Sequence, residues 1–62
     1  MRLSEFLKEA AKSGCYWAYN GSTHEYWYSP ITDQYFKVSY DKNKDLKPWL
    51  EHKLRKESGV KK

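Results

Sequence analysis

The stretch Asn20-Gly21-Ser22-Thr23-His24-Glu25-Tyr26-Trp27 holds the residues best suited to proton transfer. Imidazole is the side chain that gives and takes a proton near neutral pH. His24 follows an Asn-Gly pair, the strongest short-range hairpin signal, because both residues tolerate positive φ. An alternating aromatic run comes next, so the histidine is expected near a strand end, three residues past Gly21. Ser22 and Thr23 supply hydroxyls that can orient the ring or bind phosphate, and that serve the turn itself equally well. A histidine so held in a small basic protein points to acid–base chemistry on an anionic substrate.

Other reactive side chains are sparse. His52 stands between Glu51 and Lys53 in a helical stretch and needs no role. Cys15 is the only cysteine, and with no cation beside it to favour the thiolate it reads as a packing residue. One cysteine and two histidines fall short of a zinc set, and no carboxylate cluster suits magnesium. No metal and no cofactor is expected.

The elements that position His24 follow from periodicity. Leu3, Phe6, Leu7, Ala10 and Ala11 form one helical stripe, with Ser4 as expected N-cap and Gly14 as stop. This predicts a first helix over about Ser4 to Ser13. Cys15 to Tyr19 reads as a first strand and Ser22 to Tyr28 as a second. After a turn through Pro30, Gln34 to Tyr40 reads as a third. Phe36, Val38 and Tyr40 fall on one face of that strand, and Tyr35, Lys37 and Ser39 on the other. In the second strand, Trp27 is the core candidate, which sends His24, Tyr26 and Tyr28 to the opposite, open face and leaves Glu25 to escape to solvent. A polar loop from Asp41 to Lys47 leads to Pro48 at the first position of a second helix. Trp49, Leu50, Lys53 and Leu54 make its short apolar stripe, and Gly59 ends it. Lys61 and Lys62 read as a frayed end. The expected class is α+β: a three-stranded antiparallel sheet with two helices on one face.

Sixty-two residues make one domain with a small core. No apolar run suits a signal peptide or a membrane span; with a single thiol, this points to the cytoplasm. The formal net charge is +4, and it is segregated. No Lys or Arg occurs from Ser13 to Phe36, whereas Lys37 to Lys62 holds nine basic and four acidic residues. Such a run is either a solvated face or an electrostatic footprint for phosphates. Tyrosines left on the open face could stack on unpaired bases. On the residues alone, a solvated surface histidine is the simpler account of His24.

Several motifs together resemble a known family, the HicA toxins, small bacterial mRNA interferases of type II toxin–antitoxin systems. Ser4-Glu5-Phe6-Leu7 resembles the family's first helix start, and Gly21-Ser22-Thr23-His24-Glu25 its Gly-Ser-X-His motif. Lys44-Asp45-Leu46-Lys47-Pro48 and Ser58-Gly59-Val60 resemble its last loop and helix stop. The resemblance implies a double-stranded-RNA-binding-like α-β-β-β-α fold. It implies ribosome-independent cleavage of mRNA, with His24 catalytic, and a HicB-type antitoxin as partner. It moves His24 from surface to active site. Gly21, Ser22, Thr23, Tyr26, Lys37, Lys44 and Lys47 are the residues expected to contact RNA. Two departures stand out: Val38-Ser39-Tyr40 replaces a Val-Pro pair of many relatives, and Glu51 and Arg55 fall where many carry aliphatics. The alternatives of another class are a non-catalytic RNA-binding module and a protein-interaction domain.

Overall fold

In the computed structural model, which describes residues 1–61, the chain runs α1 (Leu3–Lys12), β1 (Tyr16–Asn20), β2 (Glu25–Ser29), β3 (Gln34–Val38) and α2 (Pro48–Ser58). The class is α+β, with one antiparallel sheet in the order β1-β2-β3 and two helices. The expected fraying of Lys62 lies outside the described residues. No helix among those described is long and apolar enough to cross a membrane.

The apolar stripe of α1 is buried as its spacing predicts, through Leu3, Phe6, Leu7 and Ala10. Its start differs from expectation. Arg2 occupies the N-cap, and its backbone N–H donates to the Glu5 carboxylate at 2.7 Å. Ser4 already lies in the first turn and needs no cap, because chain from the distant loop satisfies the free donors. The Leu3 N–H donates to the Lys44 carbonyl and the Ser4 N–H to the Lys42 carbonyl, each at 2.9 Å. Leu46 N–H returns a bond to the Met1 carbonyl at 2.8 Å. Gly14 stops the helix with φ +99°.

The sheet has two unlike faces. Phe36 and Val38 of β3 are buried, and Trp27 and Glu25 stand opposite them in β2. The other face carries Tyr16, Tyr19, Tyr26, Tyr28, Tyr35 and Lys37. Register shifts between Trp17 and Tyr19, so an irregularity at Ala18 keeps Tyr16 and Tyr19 on that one face although they are three residues apart.

Strand β1 and the end of β2 lie one residue later than expected, and two boundaries differ by more. β2 begins at Glu25 rather than Ser22, and β3 stops at Val38, so Tyr40 does not extend the Phe36–Val38 face. The reason for the first is the turn. Asn20 pairs with Glu25, residues 21–24 form a four-residue loop, and the Gly21 N–H donates to the His24 carbonyl at 2.7 Å. Neither Asn20 nor Gly21 has positive φ. Gly21 is required for closeness instead: a Cβ there would lie 2.6 Å from Tyr26 Cε2 and 2.9 Å from the His24 carbonyl oxygen.

α2 contributes little apolar area. Leu54 is buried and Leu50 partly so, whereas Trp49, expected on the apolar stripe, is 65% exposed. Ionic and hydrogen-bonded contacts make up the difference. Arg55 bonds Glu51 at 2.9 Å and Glu9 of α1 at 3.1 Å, with its guanidinium carbon 5.5 Å from the Phe6 ring centre. Burial works against the Arg55 charge, but the hydrogen bonds to Glu51 and Glu9 outweigh it and raise its pKa. The β2–β3 turn caps the helix's other end: the Ser29 hydroxyl donates to the Ser58 carbonyl, and Thr32 Oγ1 to the Glu57 carbonyl at 2.7 Å. Gly59, at φ +74°, must be glycine for space as well, since a Cβ would meet Ile31 Cγ2 at 2.6 Å.

Glu25 does not escape to solvent. Its carboxylate accepts from Trp27 Nε1 at 2.7 Å and from Lys42 Nζ at 2.9 Å. Burial pushes its pKa up, but these two bonds and the Lys42 charge more than reverse that and hold it below the ordinary value.

Two outcomes follow. Arg55→Ala should lower stability by about 1.5–3 kcal/mol, the range for hydrogen bonds to charged groups, read from the urea midpoint at constant slope; an unchanged midpoint would show that Leu54 and the turn suffice to hold α2. A depressed carboxylate stabilises above its unfolded pKa of about 4.3 and loses that contribution as pH falls through the lower folded value. Acid unfolding should therefore steepen below about pH 4.3, and Glu25→Gln should flatten that limb.

Candidate functional site

A cleft of about 320 Å³ opens between the end of β3, the 44–47 loop and the first turns of α2. Its apolar floor comes from Leu3, Val38, Leu46, Leu50 and Leu54, and its rim from His24, Lys37, Lys44, Lys47, Lys53 and Trp49, with Ser39, Asp45 and Glu57. Each wall has a local cause. The loop is held by the backbone bonds to residues 1–4 described above. Pro48 starts α2 directly after it. Trp49, Lys53 and Glu57 then share one helical side at intervals of four.

His24 reaches the cleft because it stands ahead of β2, outside the strand's alternation. One residue beyond the Glu25–Val38 pair, His24 on one chain segment and Ser39 on the other both border the cleft. The loop carrying the histidine is pinned twice: by the Gly21–His24 backbone bond and by the Tyr40 hydroxyl, which donates to the Gly21 carbonyl. The half-buried ring has Thr23 Oγ1 at 3.0 Å from Nδ1. A hydroxyl can donate to bare Nδ1 or accept from Nδ1–H, so this contact serves both protonation states of the ring. Nε2 has no hydrogen-bond partner among the described residues.

The electrostatics favour an anion. Four lysines line the cleft against two carboxylates. Among the described residues none of the four is in an ion pair; the cation that is neutralised nearby, Lys42, serves Glu25 outside the lining. No group of three His, Cys, Asp or Glu side chains able to hold a metal occurs among the described residues.

Of the residues expected from sequence, His24, Lys37, Lys44 and Lys47 meet at this cleft. Gly21, Ser22 and Thr23 form the adjoining loop, where Thr23 touches the ring and Ser22 is exposed. Tyr26 is not part of the lining. Its ring stacks on Tyr19 at 4.8 Å between centroids and 12° between planes, so of the two residues that the alternation groups on one face, only His24 lines the cleft. The sequence singles out Trp49 and Lys53 only for the apolar stripe of α2, with Lys53 otherwise one of nine cations in the C-terminal run, yet both line the cleft. The signal that would have marked them is their spacing of four, directly after Lys47-Pro48.

No family model, no curated protein and no solved structure matches this chain.

Proposed function

We propose that this protein is a metal-independent endoribonuclease of the HicA toxin type, with His24 as its acid–base residue. The observation that carries the reading is the meeting of one histidine and four unpaired lysines around a single cleft. The Gly21-Ser22-Thr23-His24 motif adds to it, as does the agreement of the observed element order with the one the resemblance implies.

In this reading a scissile phosphate sits among Lys37, Lys44, Lys47 and Lys53. His24 Nε2 takes the proton from the neighbouring ribose 2′-hydroxyl. The 2′-oxygen then attacks phosphorus, the bond to the 5′-oxygen breaks, and that oxygen leaves with a proton from water or a lysine ammonium. The products are a 2′,3′-cyclic phosphate and a 5′-hydroxyl end. Lysine ammonium groups stabilise the extra negative charge of the phosphorane, with Lys37 nearest in sequence logic to that role. The need for a 2′-hydroxyl separates RNA from DNA. An acidic, HicB-type antitoxin would inhibit by filling the cleft, gaining on-rate from charge complementarity. The site of action would be the cytoplasm, where mRNA is.

His24→Ala should lower the cleavage rate by about 10²–10⁴-fold, as for loss of a general acid–base group, with circular dichroism unchanged and cleavage of the parent protein persisting in EDTA. Undiminished cleavage by the folded variant, or activity that returns only with a divalent ion, would overturn the mechanism. Binding without cleavage by the parent protein would leave an RNA-binding module.

RNA affinity should fall with salt. Lys44→Ala and Lys47→Ala should each reduce the log–log salt slope by about 0.7, the value for one phosphate contact on single-stranded RNA. A flat salt response would show the lysines to be a solvated face only.

A further inference from the structure

The face of the sheet away from the helices carries a continuous belt of rings. Tyr16 contacts Tyr28 at 5.5 Å between centroids, Tyr28 contacts Tyr35 at 5.3 Å, Tyr35 contacts Tyr19 at 5.9 Å, and Tyr19 stacks on Tyr26 at 4.8 Å. Tyr16, Tyr19 and Tyr35 are about half exposed or more, at 55%, 49% and 59%. We propose that this tyrosine belt is a stacking platform for unpaired bases of a single-stranded RNA whose scissile phosphate lies in the His24 cleft.

Three features favour a nucleic-acid strand over a protein. First, the belt is aromatic and hydroxyl-bearing throughout. No Leu, Ile, Val or Phe side chain stands among the strand positions of that face, whereas the core face is built from Trp27, Phe36 and Val38. Aromatic rings stack on every base, so such a face is tolerant of sequence. Second, the charge is complementary. Lys37 pairs across from Tyr26 on this face and also lines the cleft, because β3 is the edge strand. It therefore joins the belt's Tyr26 end to the lysine-rimmed site. At the belt's other end the Tyr28 hydroxyl donates to the Asp33 carboxylate, which places this acidic neighbour of the belt at the end away from the cleft. Third, the belt is pre-ordered. Cross-strand pairing and the irregularity at Ala18 hold the rings in contact before any ligand arrives, so little side-chain freedom remains to be lost on binding.

The inference rests on the ribonuclease reading, since the cleft gives the strand its direction. A duplex cannot use the belt, because its bases are already stacked on each other. The platform thus assigns single-stranded RNA as the substrate class, with the bases beside the scissile phosphate lying across Tyr26, Tyr19 and Tyr35.

The test uses full-length protein labelled with 3-fluorotyrosine and a 2′-O-methyl oligoadenylate of about eight residues, within the span of such single-strand sites. The probe has no free 2′-hydroxyl and cannot be cleaved. Fluorine resonances of Tyr16, Tyr19 and Tyr35 should move with the single strand and stay in place with its duplex. Tyr19→Leu and Tyr35→Leu should each weaken binding of the single strand by roughly 5- to 100-fold, while Tyr19→Phe should bind as the parent does. Single Tyr→Phe variants assign the six fluorine resonances, and the shifts are read on the parent, so misfolding of a leucine variant cannot hide the answer. Cleavage of the dinucleotide UpA, too short to span cleft and belt, reads the His24 chemistry alone. Lost binding in the leucine variants with no UpA cleavage would keep the platform and remove the ribonuclease reading. Cleaved UpA with unchanged strand binding in the variants would do the reverse. Failure of the parent to bind the single strand overturns the platform. So do fluorine shifts that follow protein concentration alone, which would make the face a protein interface.

Discussion

Irregular backbone needs partners, and here two irregular segments supply each other. The first turn of α1 has free N–H groups, and the 42–44 loop has free carbonyls. Leu3 and Ser4 donate to Lys44 and Lys42, and Leu46 donates back to Met1. This exchange closes the N-terminal segment onto a loop some forty residues away in sequence. The loop is one wall of the cleft, and it sets where α2 begins. Lys44, Lys47, Trp49 and Lys53 are held where they are by backbone bonds that none of their side chains makes.

The small core then explains the polar character of the helix packing. A chain of this length cannot bury much apolar area, and α2 offers only Leu54 and part of Leu50. Arg55 fills the gap by covering the Phe6 ring while bonding Glu9 and Glu51. Glu51 and Arg55 thus act as a matched pair, acid and base one turn apart. At the far end of α2, hydroxyls of Ser29 and Thr32 take the helix's last carbonyls. The buried Ser29 and the half-buried Thr32 do there what a larger core would do by burial.

The same economy divides the sheet. One face spends its aromatic residues on the core through Trp27 and Phe36, and even its carboxylate, Glu25, is satisfied in place by Trp27 and Lys42. The other face leaves five tyrosines in mutual contact and uncovered. Tyr28 is the most constrained of them; its hydrogen bond to Asp33 pushes the phenol pKa up to about 12. Lysines gather on the cleft rim without ion-pair partners among the described residues, a placement whose mutual repulsion a bound anion would relieve.

The order helix, three strands, helix was legible in the residues, because apolar spacing in α1, aromatic alternation in β2 and β3, and the Pro48 and Gly59 signals are all local. So was the convergence of charge toward the C-terminal half, and the motif around His24. Non-local partners decided the rest. Ser4 has the chemistry of a cap, yet distant carbonyls made one unnecessary and moved the helix start to Leu3. Asn20-Gly21 has the chemistry of a tight turn, yet the Tyr26 ring lying against Gly21 and the Tyr40 hydroxyl on its carbonyl drew out a four-residue loop instead. That loop holds His24 ahead of the strand, at the cleft. Trp49 and Lys53 carry an ordinary helical spacing, and only the placement of the 44–47 loop against α2 turns their side of the helix into a cleft wall. Local periodicity can say which residues share an element's face; it cannot say which face a distant segment will leave uncovered.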